Sequence, residues 1–381
     1  MLCTQRSLRF HVCGASARLI RNSIGGVAHL VTIDRESDIS ALLARPEFYP
    51  LRIDPQRRAV VFVQMSRETL RRSSFLDHRA ILAGPDTSLV DLDALFQHLS
   101  SRPVERPTHF ILHGAFCGST LLARHFEELP HCLTLKEPQL LAQVAALGNA
   151  NPTTPSSDRT LDDWLDAVLM LLSRSDASDS AVLIKAPDQV NWLGSRLLGR
   201  DGVAKIIFLA APLRVFLLSA LKSQERRGWL RSRARGLRSQ LAQLPFEGEV
   251  VTEELTDGQL GAALWLLNSF LCSNLLARWD GTRALAMCSE DLIGRPREML
   301  HGAAEFLGLT RDEEVCRALA RFSPITYYSK EPGAGAHFDA DTRGAALAEI
   351  DKRFGREVEA AMAWGTRVGA EWLRRSPFPV E

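Results

Sequence analysis

Short apolar runs alternate with longer amphipathic segments along most of the chain. Four of the runs are continuously apolar or β-branched, as strands buried on both faces of a sheet usually are. These are Thr108–His113, Cys132–Leu135, Ala181–Ile184 and Ala204–Ala211, and a fifth buried strand follows Arg283. Segments with apolar residues at helical spacing separate them, such as Leu161–Leu172. This order of elements predicts a three-layer α/β fold around a central, parallel, five-stranded sheet.

A smaller unit is predicted before this sheet, and no motif with chemistry appears in it. Val27–Ile33 and Arg58–Met65 are predicted strands, and Ser66–Arg72 and Leu89–Leu99 are predicted helices. The polar, proline-bearing segment Ser100–Pro107 then suggests a join between two units. We therefore expect an N-terminal α+β extension over residues 1–100 and a main domain over residues 101–381.

Composition narrows the range of partners. The formal net charge of the 381 residues is +1, so no overall field favours nucleic acid or an anionic membrane. The seven cysteines show no metal-binding spacing, and we expect reduced thiols in a cytoplasmic protein. The apolar stretch Leu260–Leu276 carries Asn268 and Asn274 and is predicted to be a buried core helix rather than a membrane span. The first 33 residues lack acidic side chains, which fits either a transit peptide or an irregular basic N-terminus.

The first buried strand runs through a turn of small residues into a predicted helix, over Thr108 to Arg124. This is the strand-loop-helix layout of a phosphate-binding loop, in which backbone N–H groups and the helix dipole hold an anion. Gly118 would let the backbone come close to the anion, and Ser119 and Thr120 would add hydroxyl donors. The pattern G-x-x-x-x-G-K-[ST] is not matched because the loop has no lysine, which disfavours ATP or GTP hydrolysis. An ordinary strand-to-helix turn is the alternative.

Charged residues follow two other predicted strands. Lys136 and Glu137 end the second strand, while Lys185 and Asp188 end the third. Ligands of doubly wound sheets bind at the carboxyl ends of the strands, so these side chains are expected near the loop. A solvated lysine at a strand end is the alternative for Lys185.

The loop and a later segment resemble the sulfotransferase family. Phe116–Leu122, Phe-Cys-Gly-Ser-Thr-Leu-Leu, is similar to the Arg-Ser-Gly-Ser-Thr-Leu-Leu of bacterial members, and Glu290-Asp-Leu through Pro296 to Phe306-Leu-Gly-Leu309 follows the family's later strand-helix block. The resemblance covers roughly residues 108–340. It implies a P-loop NTPase-like fold and metal-independent sulfuryl transfer from 3′-phosphoadenylyl sulfate.

The resemblance also implies site residues, with departures. The donor would be held by the loop, at Phe116, Cys117, Gly118, Ser119, Thr120 and Leu121. The family has lysine or arginine where this chain has Phe116. Lys185 matches the lysine that contacts the transferred group, but Pro187 stands at the position of the family's basic histidine. Glu137 and Asp188 are then the nearest candidates for the general base.

Contacts to the donor's 3′-phosphate are implied less strongly. Ser219 matches the serine of the family's second motif, whereas Ala211 stands at its arginine position. Arg214 could reach the same phosphate from the loop, since a guanidinium on a long stem tolerates displacement. Lys330 lies in a glycine-bearing loop where the family has an Arg-Lys-Gly loop.

An arginine-rich segment from Arg226 to Arg238 contains Trp229. It is either a solvated helix or a basic lid over a polyanionic donor or an acidic acceptor. The leading hypothesis for the chain is a sulfotransferase acting on a hydroxyl or amine of a small-molecule or peptide acceptor. The alternatives are a catalytically degenerate nucleotide- or partner-binding protein and, less favoured, an ATP-dependent phosphotransferase.

Overall fold

The computed structural model describes residues 30–80, 87–100, 104–149, 159–246, 254–279, 281–323 and 340–381. Within these ranges the chain forms a four-stranded and a five-stranded sheet, both packed with helices. The N-terminal elements are β1 (Leu30–Ile33), α1 (Glu36–Leu43), β2 (Phe48–Asp54), β3 (Ala59–Gln64), α2 (Arg67–Arg72), β4 (Thr87–Asp91) and α3 (Leu92–Leu99).

The four strands of the N-terminal sheet lie in the order β1-β4-β3-β2. Strand β1 is parallel to β4, and the other pairs are antiparallel. The predicted helix from Leu89 is wrong over its first three residues, which belong to β4. Helix α3 starts only at Leu92 because the side chain of Asp91 caps it, accepting a hydrogen bond from the backbone N–H of Ala94.

The main elements follow in chain order. They are β5 (Thr108–His113), α4 (Ser119–Glu127), β6 (Cys132–Lys136), α5 (Gln139–Asn149), α6 (Leu161–Leu172), β7 (Ala181–Lys185), α7 (Gly194–Leu198), β8 (Val203–Ala210), α8 (Leu213–Leu221), α9 (Gln224–Gly236), α10 (Arg238–Leu241), α11 (Asp257–Trp279), β9 (Ala284–Cys288), α12 (Ser289–Gly294), α13 (Pro296–Leu307), α14 (Glu313–Arg321), α15 (Ala340–Val368) and α16 (Ala370–Leu373).

The main sheet is entirely parallel, in the order β6-β7-β5-β8-β9. Every residue of β5, β6 and β7 is buried, as expected for parallel strands covered on both faces by helices. The predicted fold class, a P-loop-like α/β fold around a five-stranded parallel sheet, is confirmed. Strand β5 lies at the centre, so its following loop sits beside the carboxyl ends of β7 and β8.

Helix α11 packs against α8, α9, α15 and strand β9 of the main sheet, which together bury most of it. By length and composition it is the one helix in the described ranges that could cross a membrane, yet 61% of its most apolar window is buried within the protein. The indole N–H of Trp265 donates to the carbonyl of Ala211 at 2.8 Å, which ties the helix to the end of β8. The prediction of a buried core helix over Leu260–Leu276 is therefore confirmed.

Candidate functional site

A cavity of about 640 Å³ opens at the carboxyl edge of the main sheet. Its floor is the loop after β5, where Phe116 has a φ of 62° and Gly118 a φ of 79°. These two left-handed residues turn the chain sharply into α4, which begins at Ser119 directly after Gly118. The predicted loop residues Phe116 to Leu121 all line the cavity. The N-terminal turn of a nine-residue helix therefore faces this space, as an anion site requires.

Two polar side chains of the loop behave differently. The Cys117 thiol donates to the carbonyl of Leu209 at 3.3 Å, and burial raises its pKa to about 11, so the thiol stays protonated near neutral pH. The Thr120 side chain is buried, and its hydroxyl has no hydrogen-bond partner among the described residues. A buried hydroxyl without a partner is costly, and it is well placed to be satisfied by a ligand in the cavity.

Lys185 and Glu137 form an ion pair on the cavity wall. Lys185 ends β7 and its side chain is 1% exposed, while the Glu137 side chain is 22% exposed. Glu137 has a φ of 52°, which is uncommon for a side-chain-bearing residue, and its backbone N–H donates to the carbonyl of Lys185 at 2.7 Å. The imidazole Nε2 of His113 lies 3.9 Å from the Glu137 carboxylate. A cation, a carboxylate and an imidazole thus meet beside the loop.

Asp188 also reaches the cavity, but it is paired with an arginine of α9. Its carboxylate accepts a hydrogen bond from Arg233 of α9 at 2.7 Å, and its side chain is 15% exposed. Burial raises the pKa of Asp188 above its ordinary value, and the neighbouring Arg233 guanidinium opposes that rise. Asp188 and Glu137 are therefore two carboxylates in different electrostatic settings at one site.

The arginine-rich helix supplies a second wall. Lys222, Arg226, Trp229 and Arg233 line the cavity, and the predicted donor contact Ser219 lies beside them at the end of α8. This arrangement favours the interpretation of the segment as a basic cover over that of a wholly solvated helix. Arg231 and Arg235 of α9 are exposed and lie outside the cavity lining.

Helix α15 closes a third side. Thr342 and Arg343 line the cavity together with Leu347 and Ile350 from the next turns. Arg343 donates to the carboxylate of Glu290, at the start of α12, so α15 is tied to the strand-helix block that follows β9. This contact gives Glu290 a structural role.

Not every predicted residue is brought to the cavity. Arg214 lies outside the lining and forms ion pairs with Asp351, at 2.9 Å, and with Glu359 of α15. Its guanidinium therefore holds α15 in place, and the structure does not bring it to the cavity. Lys136 is also absent from the lining and pairs with Glu127. Lys330 lies outside the described residues.

Several residues of the cavity were missed by sequence reasoning. Phe75 and Arg79 enter from the N-terminal part, where no motif with chemistry was found. They reach the cavity because Leu76 is bonded to the end of β6, its N–H donating to the carbonyl of Lys136 at 2.8 Å. His113 could have been found, since it is the last residue of a strand predicted to end at the site.

The fold and cavity define an α/β protein with a phosphate-loop-like turn at its centre. No protein-family model matches the chain, and no curated protein matches it significantly. Among solved structures it is similar to a sulfotransferase from Alicyclobacillus acidocaldarius, with 15% identity over 71% of this chain and 99% of the other and a TM-score of 0.37.

Two further solved structures show a similar degree of likeness. The sulfotransferase domain of the Synechococcus PCC 7002 olefin synthase has 16% identity over 67% of this chain and 96% of that domain, with a TM-score of 0.38. Mouse sulfotransferase SULT7A1, complexed with PAP, has 12% identity over 71% and 92% of the two chains, with a TM-score of 0.30. The likeness is distant, and at these values it identifies no activity.

Proposed function

We propose that the protein is a sulfotransferase that moves a sulfuryl group from 3′-phosphoadenylyl sulfate to a hydroxyl or amine of a small-molecule or peptide acceptor. The observation that carries the proposal is the convergence, in one cavity, of the loop at Gly118, the partnerless buried hydroxyl of Thr120 and the ammonium of Lys185. Backbone N–H groups, a hydroxyl and a fixed cation suit an anionic donor. The motif resemblance from Phe116 to Leu122 points to the same donor.

The chemistry requires positioning and charge stabilisation more than covalent participation by the protein. The acceptor oxygen or nitrogen attacks sulfur and gives its proton to a carboxylate. The bond between sulfur and the bridging oxygen breaks, and its electron pair leaves on the 5′-phosphate of adenosine 3′,5′-bisphosphate. Lys185 supports the negative charge on the sulfuryl group, and Ser119 and Thr120 hold the phosphate.

Glu137 is the better-supported candidate for the general base. It lies beside Lys185, which contacts the transferred group in this proposal, and it is partly open to the cavity. Asp188 is the second candidate; its side chain is less exposed than that of Glu137, at 15% against 22%, and its carboxylate is bonded to Arg233 rather than to Lys185. Both roles are testable because the two carboxylates have different partners.

The direct test is transfer of a labelled sulfuryl group from the donor to a broad panel of hydroxyl and amine acceptors. We expect transfer to at least one acceptor class, and much slower transfer by the control variant Lys185→Ala. The five cysteines in the described ranges form no disulfide, which supports a cytoplasmic location. The assay is therefore run in a reducing buffer.

The second candidate function is nucleotide binding without sulfuryl transfer, and one observation favours it. Phe116 stands where the resemblance implies a loop cation, and its ring packs against Trp229 at 5.0 Å and Phe216 at 6.0 Å. A protein that binds the nucleotide without transferring sulfuryl groups would show bisphosphate binding but no labelled product with any acceptor. An ATP-dependent phosphotransferase is less supported because no lysine lies in the loop, and binding that requires magnesium and ATP would favour it.

A further inference from the structure

The loop residue Phe116 lies under a cation that comes from elsewhere in the chain. The guanidinium carbon of Arg226 lies 4.4 Å from the centroid of the Phe116 ring, within the range of a cation–π contact. Both side chains line the cavity. The two residues are separated by more than a hundred positions in sequence, so the contact depends on α9 folding back over the loop.

Arg226 is fixed in this position from two directions. Its Nη1 donates to the carbonyl of Ser219 at 2.6 Å, which anchors the guanidinium to the end of α8. Helix α9 itself is capped by Ser223, whose hydroxyl accepts a hydrogen bond from the Arg226 backbone N–H. A charge held by a backbone carbonyl and an aromatic face loses little freedom when it meets an anion, as a preorganised electrostatic contact requires.

The surroundings of Arg226 are already positive. Lys222 lines the same wall, and desolvation together with the charge of Arg226 lowers its pKa. Glu225 is the acidic residue beside them on that wall. Two cations with like-charge repulsion between them gain from an anion placed in their midst.

We propose that Arg226 supplies, from α9, the positive charge that the loop lacks at Phe116. The Phe116 ring serves as the platform that holds the guanidinium over the loop. This proposal rests on the proposed function: when the bond between sulfur and the bridging oxygen breaks, the electron pair leaves on the 5′-phosphate, and Arg226 stabilises that charge. The loop cation has thus been relocated rather than lost.

The test separates charge from shape. Arg226→Gln is expected to lower turnover by about 100-fold, the usual scale for one electrostatic contact made in the transition state. Arg226→Lys keeps the charge and is expected to retain a substantial part of the rate. The matched control is Arg235→Gln, which removes an exposed arginine of the same helix outside the cavity, and wild-type turnover is expected.

The decisive variant returns the cation to the loop. In the Arg226→Gln background, Phe116→Lys is expected to raise turnover at least about tenfold, which recovers part of the hundredfold loss. Thermal melting checks that each variant is folded. Wild-type turnover in Arg226→Gln would overturn the proposal, as would a loss that Phe116→Lys does not repair. If wild-type protein transfers no sulfuryl group at all, the proposed function fails instead, which the same assay reveals before any variant is compared.

Discussion

Two lysine–glutamate pairs stand side by side at the edge of the main sheet. Lys136 and Lys185 are register partners on β6 and β7, and their side chains are 0% and 1% exposed. Their carboxylates differ, because the side chain of Glu127 is 5% exposed and that of Glu137 is 22% exposed. The same chemical pair is sealed on one strand and open to the cavity on the next.

The sealed pair has the contacts of a structural link. The ammonium of Lys136 also donates to the carbonyl oxygens of Leu70, at 3.3 Å, and Arg71, at 2.9 Å, which joins the N-terminal part to β6. Burial lowers the pKa of Lys136 to about 8, although the Glu127 carboxylate opposes that change. Burial likewise raises the pKa of Glu127. Access to the cavity, rather than burial of the lysine, therefore distinguishes the pair that we propose to be functional from the structural one.

The largest effect is expected at the sealed pair. Lys136→Met leaves the Glu127 carboxylate buried without its cation, and the free energy of unfolding should fall by about 3–5 kcal/mol. Adding Glu127→Leu should recover most of the loss, because an apolar pair of similar size avoids the uncompensated charge. Chemical denaturation measures both values, and turnover per folded molecule should not change. A loss of turnover in folded Lys136→Met would place this pair in the site.

At the open pair, Lys185 and Glu137, we expect a substitution to lower turnover more than stability. Lys185→Ala is expected to lower turnover by about 100- to 1000-fold, with a smaller effect on donor affinity. Its loss of unfolding free energy should be less than that of Lys136→Met, because water can reach Glu137. Steady-state kinetics measures the change in turnover, and chemical denaturation of the same preparations measures the change in the free energy of unfolding. Unchanged turnover in Lys185→Ala would make both pairs structural.

The two carboxylates of the cavity should separate in a pH–rate profile. Glu137→Gln is expected to lower turnover by about 100-fold and to remove the acidic limb, while Asp188→Asn should stay within a few-fold of wild type. The reason is that the Asp188 carboxylate is held by Arg233 of α9, whereas Glu137 is paired with Lys185, which contacts the transferred group in the proposal. The reverse pattern would assign the base to Asp188, whose raised pKa would then place the acidic limb above the usual range of a carboxylate.

A smaller effect, on the pH dependence of stability, is expected from two buried histidines, His109 on β5 and His125 on α4. Burial lowers the pKa of each to about 4, so the unfolded chain binds protons that the folded chain does not between pH 6.5 and about 4. Stability should therefore fall as pH falls through this window, by about 1.4 kcal/mol per pH unit for each histidine. In His109→Gln that slope should be shallower than in wild type, as denaturation at several pH values would show. An identical slope in the variant would contradict this account.

Local pattern was sufficient for the main sheet and for the loop. Helix α6 spans Leu161–Leu172 as predicted, because Thr160 caps it and its apolar residues recur at helical spacing. Strand β2 was missed because Pro50 interrupts a strand pattern, and the observed pairing indeed shifts register between Pro50 and Arg52. Local chemistry thus predicts an element where a single rule applies along its whole length.

Contacts made over long sequence separations could not be predicted. Arg214 was expected at a phosphate, yet its partner Asp351 lies 137 residues further along the chain. The cavity roles of Arg226 and Trp229 likewise depend on where α9 folds back, which no local pattern specifies. The strand ends and the loop were therefore predicted to form the candidate site, and the arginine-rich segment was predicted only as one of two alternatives, because its approach depends on the fold of the whole chain.

The central claim is that the loop holds an adenosine bisphosphate through its backbone, and a pair of glycines tests it directly. Gly118 and Gly308 have nearly the same left-handed backbone, with φ of 79° and 81°, but Gly308 caps α13 away from the cavity. Alanine at either position should cost about 1–2 kcal/mol of backbone strain.

The measurement is the affinity for adenosine 3′,5′-bisphosphate without magnesium, by calorimetry, in wild type, Gly118→Ala and Gly308→Ala. We expect tight binding in wild type and Gly308→Ala and a loss of at least tenfold in Gly118→Ala, because relief of strain turns the loop N–H groups away from the anion. Equal affinity in all three proteins, or binding only of ATP with magnesium, would contradict the account.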